Sequence, residues 1–213
     1  ASLAAKLHQG PVVDDTAVEG AKDLSYQIEN CRVEYSHADR GVPVGFWRSV
    51  GHSYTGFVVE SFIDELAHAA GVDPFIFRRR LLPKDSRALH VLETAAKLAK
   101  WRKKPTKGAL GIAQHASFRS FAAAVAHVSV EGQNLKIHRL VCVIDCGLAV
   151  NPDIIKAQME SCAIFGLTTT LLSEITLNSG RVEQSNVHDY QMLRINECPD
   201  IDVHIVKSSE NPT

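Results

Sequence analysis

The amino-acid sequence predicts an α+β fold, because helical and strand-like periodicities occupy separate stretches of the chain instead of alternating regularly. Up to residue 104 the apolar residues recur at helical spacing, whereas after residue 105 a period of two becomes common. The two stretches meet at a linker rich in Lys and Pro, at 103–108. We therefore expect a helical portion at 1–104, which contains a Gly-Phe-Trp-Arg loop, and an α+β portion at 105–213 with two hairpins and one long helix.

Composition excludes some classes of partner. The chain has 213 residues, 45% of them hydrophobic, and a formal net charge of −1. Such a chain can bury a core, and its charge gives no reason to expect nucleic acid or an anionic membrane as partner. We interpret the basic clusters at 78–80 and 100–107 as a solvated helix end and a linker. No apolar run approaches the roughly 18 residues that would span a bilayer.

The cysteines do not indicate a metal site. No two of the five are spaced as a CxxC pair, so neither zinc nor an iron–sulfur cluster is expected, and an odd number argues against a disulfide framework. Cys142 and Cys146 are four positions apart on a predicted strand, so we interpret them as buried thiols that act as small apolar residues.

The first part of the helical portion contains one clear helix. Weak apolar spacing at 4–12 indicates a frayed helix end, and 31–35 alternate as a short strand. Ser53 is expected to cap a helix that continues to Ala70 and is ended by Gly71.

Two shorter helices follow. Asp73 is expected to cap the first of them, with Pro74 in its first turn, and this helix ends before Pro83. Ser86 is expected to cap the second, whose apolar residues up to Ala99 share one face.

The second portion contains the strands. Four of them are predicted from alternation, at 110–115, 124–131, 135–145 and 201–206. A turn at 132–134 joins the second and third as a hairpin, and another hairpin is predicted at 174–184. Asn151 followed by Pro152 opens a long helix that extends to about Leu172.

The strongest local sign of a ligand site is the glycine-rich loop 41–51. Its glycines bracket Phe46, Trp47 and Arg48, and a helix follows directly. Glycine lets the backbone approach a ligand closely, and a helix start offers unpaired N–H groups to an anionic or oxo ligand. A tight turn with a core Trp and a surface Arg would explain the same residues without a ligand. The sequence contains no dinucleotide-binding loop, Walker loop or hydrolase elbow.

The residues Gly-Phe-Trp-Arg-Ser-Val-Gly at 45–51 resemble the Phe/Trp-Arg loop of the xanthine dehydrogenase and aldehyde oxidase family of molybdenum hydroxylases. More narrowly, the chain is similar to large (β) subunits of the isoquinoline 1-oxidoreductase type. The resemblance covers about 17–213, and several long motifs in one order make it specific. These motifs lie at 32–35, 51–53, 57–67, 77–79, 143–152, 158–160, 180–186 and 188–190.

The resemblance implies a molybdopterin-type molybdenum cofactor, held between domains of a long subunit and ligating its metal without protein side chains. It implies backbone amides of the loop near the metal, a second contact on the first strand after the linker, and a Gln whose amide bonds the pterin. The cofactor-binding residues expected on this basis are Gly45, Phe46, Trp47, Arg48, His115, Ala116, Ser117, Phe118 and Gln158.

The chain departs from the family pattern at three places. Relatives usually have Glu where this chain has Ala116, Gly where it has Arg119, and Gly-Gly where it has Ser161 and Cys162. Ser or Cys would crowd a close backbone contact that Gly allows. A cofactor-free interaction module of the same fold is therefore the alternative interpretation.

The resemblance also bears on catalysis. The family's general base is a Glu in a G-V-G-E motif that follows a segment similar to 210–213. We therefore predict no catalytic residue and no metal ligand in this chain, and expect it to be inactive on its own and to bind the cofactor weakly or not at all. The full enzyme would hydroxylate N-heteroaromatics or aldehydes with water and pass electrons to a small 2Fe–2S subunit. The compartment stays open between periplasm and cytoplasm.

Overall fold

The computed structural model describes residues 14–36, 38, 41, 45–103 and 105–213, and it confirms the α+β class. Within these residues the α-helices are α1 (His52–Ala69), α2 (Pro74–Leu81), α3 (Arg87–Leu98) and α4 (Pro152–Leu171), and a short 3-10 helix spans Asp15–Ala17. The strands in the described part of the chain are β1 (Ala109–Ser117), β2 (Ser120–Glu131), β3 (Asn134–Asp145), β4 (Leu177–Asn178), β5 (Arg181–Val182) and β6 (Asp200–Ile205). None of the described helices combines the length and the apolar character needed to cross a membrane.

The main sheet has the strand order β1-β2-β3-β6. The first three strands form an antiparallel meander, and β6 pairs parallel to β3. The turn at 132–133 confirms the predicted hairpin, since β2 ends at Glu131 and β3 begins at Asn134. The second predicted hairpin is present as β4 and β5, but each strand has only two residues.

The hydrophobic core lies between α3 and one face of the main sheet. The residues that α3 buries are Ala88, Val91, Leu92, Ala95 and Ala96. They belong to one cluster with the buried sheet residues Ile112, Ala123, Val125, Val141 and Val143. This core joins α3, which precedes the linker, to strands that follow it, and the division at 104–105 stays a prediction.

The opposite face of the sheet carries small residues and is only partly covered. We call the floor that these residues form between α1 and α4 the alanine trough. Its members are Gly111, Ala113, Ala122, Ala124 and Ala126. Of the residues of α4, only Thr168 is buried, so this helix lies along the sheet with most of its surface exposed.

Two of the three predicted helix caps, at Asp73 and Ser86, are confirmed, and Asn151, which was predicted to open the long helix, caps that helix in the same way. The side chains of Asp73, Ser86 and Asn151 accept hydrogen bonds of 3.1 Å from the backbone N–H groups of Ile76, Leu89 and Ile154 respectively. Each bond satisfies an amide that the first turn of a helix leaves unpaired.

The predicted cap at Ser53 is wrong, because α1 begins at His52 after Gly51. The backbone at Ser49 and Val50 has positive φ angles of 66° and 53°, which turns the chain into the helix earlier than the polar residue suggested. The Ser53 hydroxyl donates to the Val50 carbonyl oxygen at 2.8 Å instead of capping an amide.

Two further expectations concern the first third of the chain. The strand predicted at 31–35 is absent, because these residues are exposed and pair with no strand of the described residues. The helix end predicted at 4–12 lies outside the described residues.

Arg78 corrects the interpretation of the basic cluster as a solvated helix end. Its side chain is fully buried, with Nε 2.8 Å from Glu60 Oε2 and Nη1 2.5 Å from Asp64 Oδ1. The Glu60 carboxylate also accepts hydrogen bonds from the Tyr26 hydroxyl at 2.7 Å and from the backbone N–H of Gln114 at 2.9 Å. This network joins α1, α2, β1 and the segment that precedes α1.

The cysteines are all free thiols. Cys142 and Cys146 are buried as predicted, although Cys146 follows the end of β3 and is not part of the strand. Burial raises the pKa of the Cys142 thiol to about 11, so it is neutral at physiological pH.

Candidate functional site

The loop that carries the predicted site, at 45–51, is here called the arginine loop. A hydrogen bond of 3.0 Å from the Val50 amide to the Trp47 carbonyl closes it. The side chains of Phe46 and Trp47 are 81% and 60% exposed, so Trp47 is not the core residue that a ligand-free turn predicts. Val50 has a positive φ angle, which is unusual for a β-branched residue and indicates backbone strain beside the predicted site.

The arginine loop has unpaired donors. Among the described residues, the backbone N–H groups of Phe46, Trp47 and Arg48 donate no hydrogen bond. A Cβ atom added at Gly45 would meet nothing within 4 Å, so the loop is open on that side. The Arg48 guanidinium lies 4.8 Å from the ring centroid of Phe165, which connects the loop to α4.

A pair of histidines joins the arginine loop to β1. Nδ1 of His52 is 2.9 Å from Nε2 of His115, and the rings meet edge to face with centroids 5.1 Å apart. The His52 ring also lies 5.4 Å from the ring of Phe118. Burial, reinforced by the neighbouring His52, lowers the pKa of His115, so the neutral ring is favoured.

The β1–β2 turn consists of Phe118 and Arg119, both with positive φ angles, of 46° and 64°. Ser117 and Ser120 face each other at its base, and the Phe118 ring is 65% exposed. The departure from Gly at Arg119 therefore falls on a left-handed position, where Gly has no steric cost. Ala116 is half-buried one residue before the end of β1.

Gln158 is exposed on α4, and its carboxamide has no hydrogen-bond partner among the described residues. It lies seven residues before Phe165, or about two helical turns, so both side chains project from similar faces of α4. The neighbouring Met159 lines the cavity above the alanine trough, and this cavity has a volume of about 490 Å³. The structure thus brings the arginine loop, the β1–β2 turn and α4 together, and we call the place where they meet the rim. No hydrogen bond within the described part of the chain joins Gln158 to the other predicted residues.

Polar groups at this rim fit a ligand with donors and acceptors. The three loop amides can donate, and the Gln158 carboxamide can do both. At the other departure from the pattern, Ser161 is half-buried and Cys162 is exposed, so neither side chain fills the trough floor. The residues present are compatible with a polar, ring-containing cofactor along this rim.

Comparison with known proteins identifies the family of the chain. The molybdopterin cofactor-binding domain family matches residues 62–199 of the chain. The chain belongs to this family. The predicted resemblance to molybdenum hydroxylase large subunits is thereby confirmed, and so is a molybdopterin-type cofactor as the family's ligand.

Three curated relatives are similar to this member of the molybdopterin cofactor-binding domain family. The β subunit of isoquinoline 1-oxidoreductase from Brevundimonas diminuta is 31% identical over 88% of the chain and 25% of the relative. A membrane-bound aldehyde dehydrogenase (pyrroloquinoline-quinone) from Gluconacetobacter polyoxogenes is 29% identical over 95% and 29% respectively. The matching subunit of nicotinate dehydrogenase from Pseudomonas putida is 28% identical over 88% and 17%. The chain thus spans between about a sixth and three tenths of the length of these relatives.

Sequence reasoning missed two parts of the rim. His52 was visible only as part of the motif at 51–53, and nothing in the sequence indicates its contact with His115, which is 63 positions away. The alanine trough could have been predicted from the sequence, because Ala122, Ala124 and Ala126 occupy alternate positions of β2 and therefore share one face of the sheet.

Proposed function

We propose that the chain forms one wall of a molybdopterin cofactor site in an oxidoreductase subunit that acts on N-heteroaromatics or aldehydes. The observation that carries the proposal is the meeting of the arginine loop, the β1–β2 turn and α4 at one rim in a chain of this family. The substrate class follows the names of the relatives, two of which name an N-heterocycle and one an aldehyde.

The residues have distinct roles in this proposal. The open amides of Phe46, Trp47 and Arg48 would donate hydrogen bonds to an oxo or anionic group, as unpaired amides before a helix commonly do. Gln158 would donate to and accept from the pterin ring system, and the exposed rings of Trp47 and Phe118 would keep water from the rim. When bound, the cofactor supplies the redox and Lewis-acid chemistry of molybdenum.

His115, Ala116 and Ser117 form the second part of the wall. Burial and the neighbouring His52 lower the pKa of His115, so it presents a neutral hydrogen-bonding ring. Ala116 cannot accept or donate through its side chain, so a contact there would use the backbone.

The molybdenum content of an intact subunit of the relatives' length tests this proposal. We expect Gln158→Ala and Trp47→Ala each to lower bound molybdenum several-fold, because each removes part of the wall. Arg102→Ala, in the groove beside Trp101 on the outer side of α3, is the control and should load normally. Full molybdenum loading in both wall variants would contradict the proposal.

We also propose that the 213-residue chain alone neither turns over substrate nor retains the cofactor, and that the whole enzyme passes electrons to a 2Fe–2S subunit. The sequence has no cysteine spacing for a cluster of its own. Metal analysis and dye reduction with the purified chain check the first part. Stoichiometric molybdenum together with turnover would contradict it.

A cofactor-free interaction module is the second candidate. It is favoured by the large exposed apolar side chains on α1, where Phe57 is 72% and Phe62 57% exposed, since such patches often mark interaction surfaces. An intact subunit that contains no molybdenum but still binds its partner subunit would support this candidate. Molybdenum bound in proportion to protein would exclude it.

A further inference from the structure

His52 and His115 make the one direct side-chain hydrogen bond that joins the start of α1 to β1 among the described residues. In a hydrogen bond between two imidazole nitrogens, one must carry the proton and the other must be free of it. The contact therefore survives while one of the two facing nitrogens carries a proton and the other does not, which two neutral rings or one neutral and one charged ring can provide. It is lost when both rings are charged, because two donors and two positive charges then face each other.

The histidine pair is enclosed. The backbone of Gly20 lies over it so closely that an added Cβ would be 2.7 Å from His52 Nδ1 and 2.8 Å from His115 Cε1. On the side of α1, an added Cβ at Gly56 would be 3.5 Å from His115 Nδ1. The Thr55 hydroxyl, which lies within 3.0 Å of the Gly51 carbonyl oxygen, packs against the same site. The two rings therefore have little freedom to rotate away from each other.

The pair connects two parts of the candidate site. His52 is the first residue of α1 and follows the arginine loop directly, and its ring also contacts Phe118 in the β1–β2 turn. Moving His52 would shift the end of the loop, while moving His115 would shift the last residues of β1. The pair thus fixes the distance between the loop amides and the turn.

We propose that His52 is a positioning residue that holds the arginine loop against the β1–β2 turn through His115, and that this clasp opens when both imidazoles are protonated. What the loop binds rests on the proposed function. The clasp itself is a property of this chain.

The charged groups around the pair do not replace the hydrogen bond. Glu60 and Asp64 on α1 are engaged by the buried Arg78. Glu19 and Asp23, in the segment over the pair, form no hydrogen bond to either ring among the described residues. From the sheet and α4 the facing side chains are the neutral Cys142 thiol and Met159.

The direction of the pH effect follows from burial. Because the pKa of His115 is lowered from its ordinary value of 6.5, the folded chain takes up this proton less readily than the unfolded chain. The stability that the neutral pair contributes is therefore fully present above about pH 6.5, and it is lost as the pH falls from there through the lowered pKa. The clasp should be closed at neutral pH and open in acid.

Trp47 fluorescence in the purified chain tests the clasp without any cofactor. The chain has two tryptophans, so Trp101→Phe makes Trp47 the reporter of the arginine loop. In this background we expect the emission to change cooperatively as the pH falls below about 6.5. His52→Leu should show the open-loop emission already at neutral pH and lose the transition.

Two further variants separate positioning from general structure. His52→Asn places an amide near the position of Nδ1 but cannot take up a proton, so it should restore the closed emission at neutral pH and weaken the acid transition. His90→Leu, an exposed histidine on α3, should leave the pH curve unchanged. A parental pH curve retained in His52→Leu would overturn the proposal.

Nitrogen-15 NMR of the imidazoles in the parent chain gives a result even if His52→Leu fails to fold. We expect a hydrogen-bonded, unprotonated Nε2 or Nδ1 within the pair and titration of His115 below that of exposed histidines. Two independent titrations with ordinary values would overturn the clasp. Neither result alters the molybdenum-loading test, so failure of the clasp and failure of the proposed function can be told apart.

Discussion

The helices α3 and α4 lie against the same sheet but contribute very differently to the fold. Five of the 12 residues of α3 are buried, whereas α4 has 20 residues and buries only Thr168. Apolar side chains of α4 remain outside, with Ile154 58% and Phe165 40% exposed. The free energy of folding therefore comes mainly from the α3 side, while the candidate site lies on the side that the chain leaves open.

Helix α1 shows the same contrast within one element. Its inner face provides Glu60 and the fully packed Ile63, whereas Phe57, which lines the cavity above the alanine trough, and Phe62 are mostly exposed. Large exposed apolar surface is uncommon on isolated soluble domains and usually marks a surface that contacts a ligand or another protein region. The buried side chains that stabilise the fold and the exposed apolar side chains of α1 thus lie on different parts of the helix surface.

The largest loss of stability is expected on substitution of Arg78. Arg78→Ala would leave the Glu60 carboxylate buried without its cation, and we expect a loss of about 3–5 kcal/mol of stability in urea denaturation. Arg79→Ala is the matched control on the same helix, because its ion pair with Glu93 is exposed and is worth at most about 1 kcal/mol. Equal effects in the two variants would contradict a stabilising role for the buried network.

The next largest loss of stability is expected on α3, and a matched substitution on α4 provides a direct comparison. Leu92 of α3 is fully buried, so Leu92→Ala should cost about 2–5 kcal/mol through lost burial and the cavity that remains. Ile154→Ala on α4 should change the free energy of unfolding by no more than about 0.5 kcal/mol. A large loss at Ile154 would show that α4 is packed more tightly than its exposure indicates.

Removing a helix cap should lower the free energy of unfolding by a smaller amount. The loss should be global for α3 and local for α4. Ser86→Ala is expected to lower global stability by about 1 kcal/mol, because α3 belongs to the core. Asn151→Ala removes an equivalent hydrogen bond, but it should mainly increase hydrogen exchange in the first turn of α4. Global destabilisation of similar size in both variants would contradict the claim that α3 belongs to the core and α4 does not.

The smallest expected change is an increase in stability on substitution in the β1–β2 turn. Arg119 has a left-handed backbone, so Arg119→Gly should remove strain and stabilise the chain by up to about 1 kcal/mol. Gln133→Gly, in the β2–β3 turn, is the control, because Gln133 does not have a positive φ angle and its replacement should give no gain. Destabilisation by Arg119→Gly would mean that the Arg119 side chain makes a contact that outweighs the strain.

Much of the fold could be predicted because its signals are local. The caps at Asp73, Ser86 and Asn151 and the alternation along β2 and β3 depend on residues close together in the chain. The resemblance to molybdenum hydroxylases also rested on contiguous motifs, including the arginine loop, which precedes the residues 62–199 that the family matches. These features indicated the class, the order of the elements and the position of the candidate rim.

The features that sequence reasoning missed depend on distant contacts. Arg78 was interpreted as a surface residue, because its burial requires Glu60, which is 18 positions away on an adjacent helix. His52 acquires its role only through His115 on a strand, and Ser53 lost its expected role because positive φ angles at Ser49 and Val50 begin the helix earlier. Long-range pairing and backbone strain have no reliable signal in a single sequence.

Hydrogen–deuterium exchange in an intact subunit of the relatives' length, with and without its molybdenum cofactor, tests the central claim most directly. The amides of Phe46, Trp47 and Arg48 have no partner in the described part of the chain, so the account predicts strong protection of this segment on loading. The turn at 132–133, at the far end of the sheet, should exchange equally in both states. Unchanged exchange at 46–48 in the loaded subunit would contradict the assignment of the arginine loop to the cofactor site.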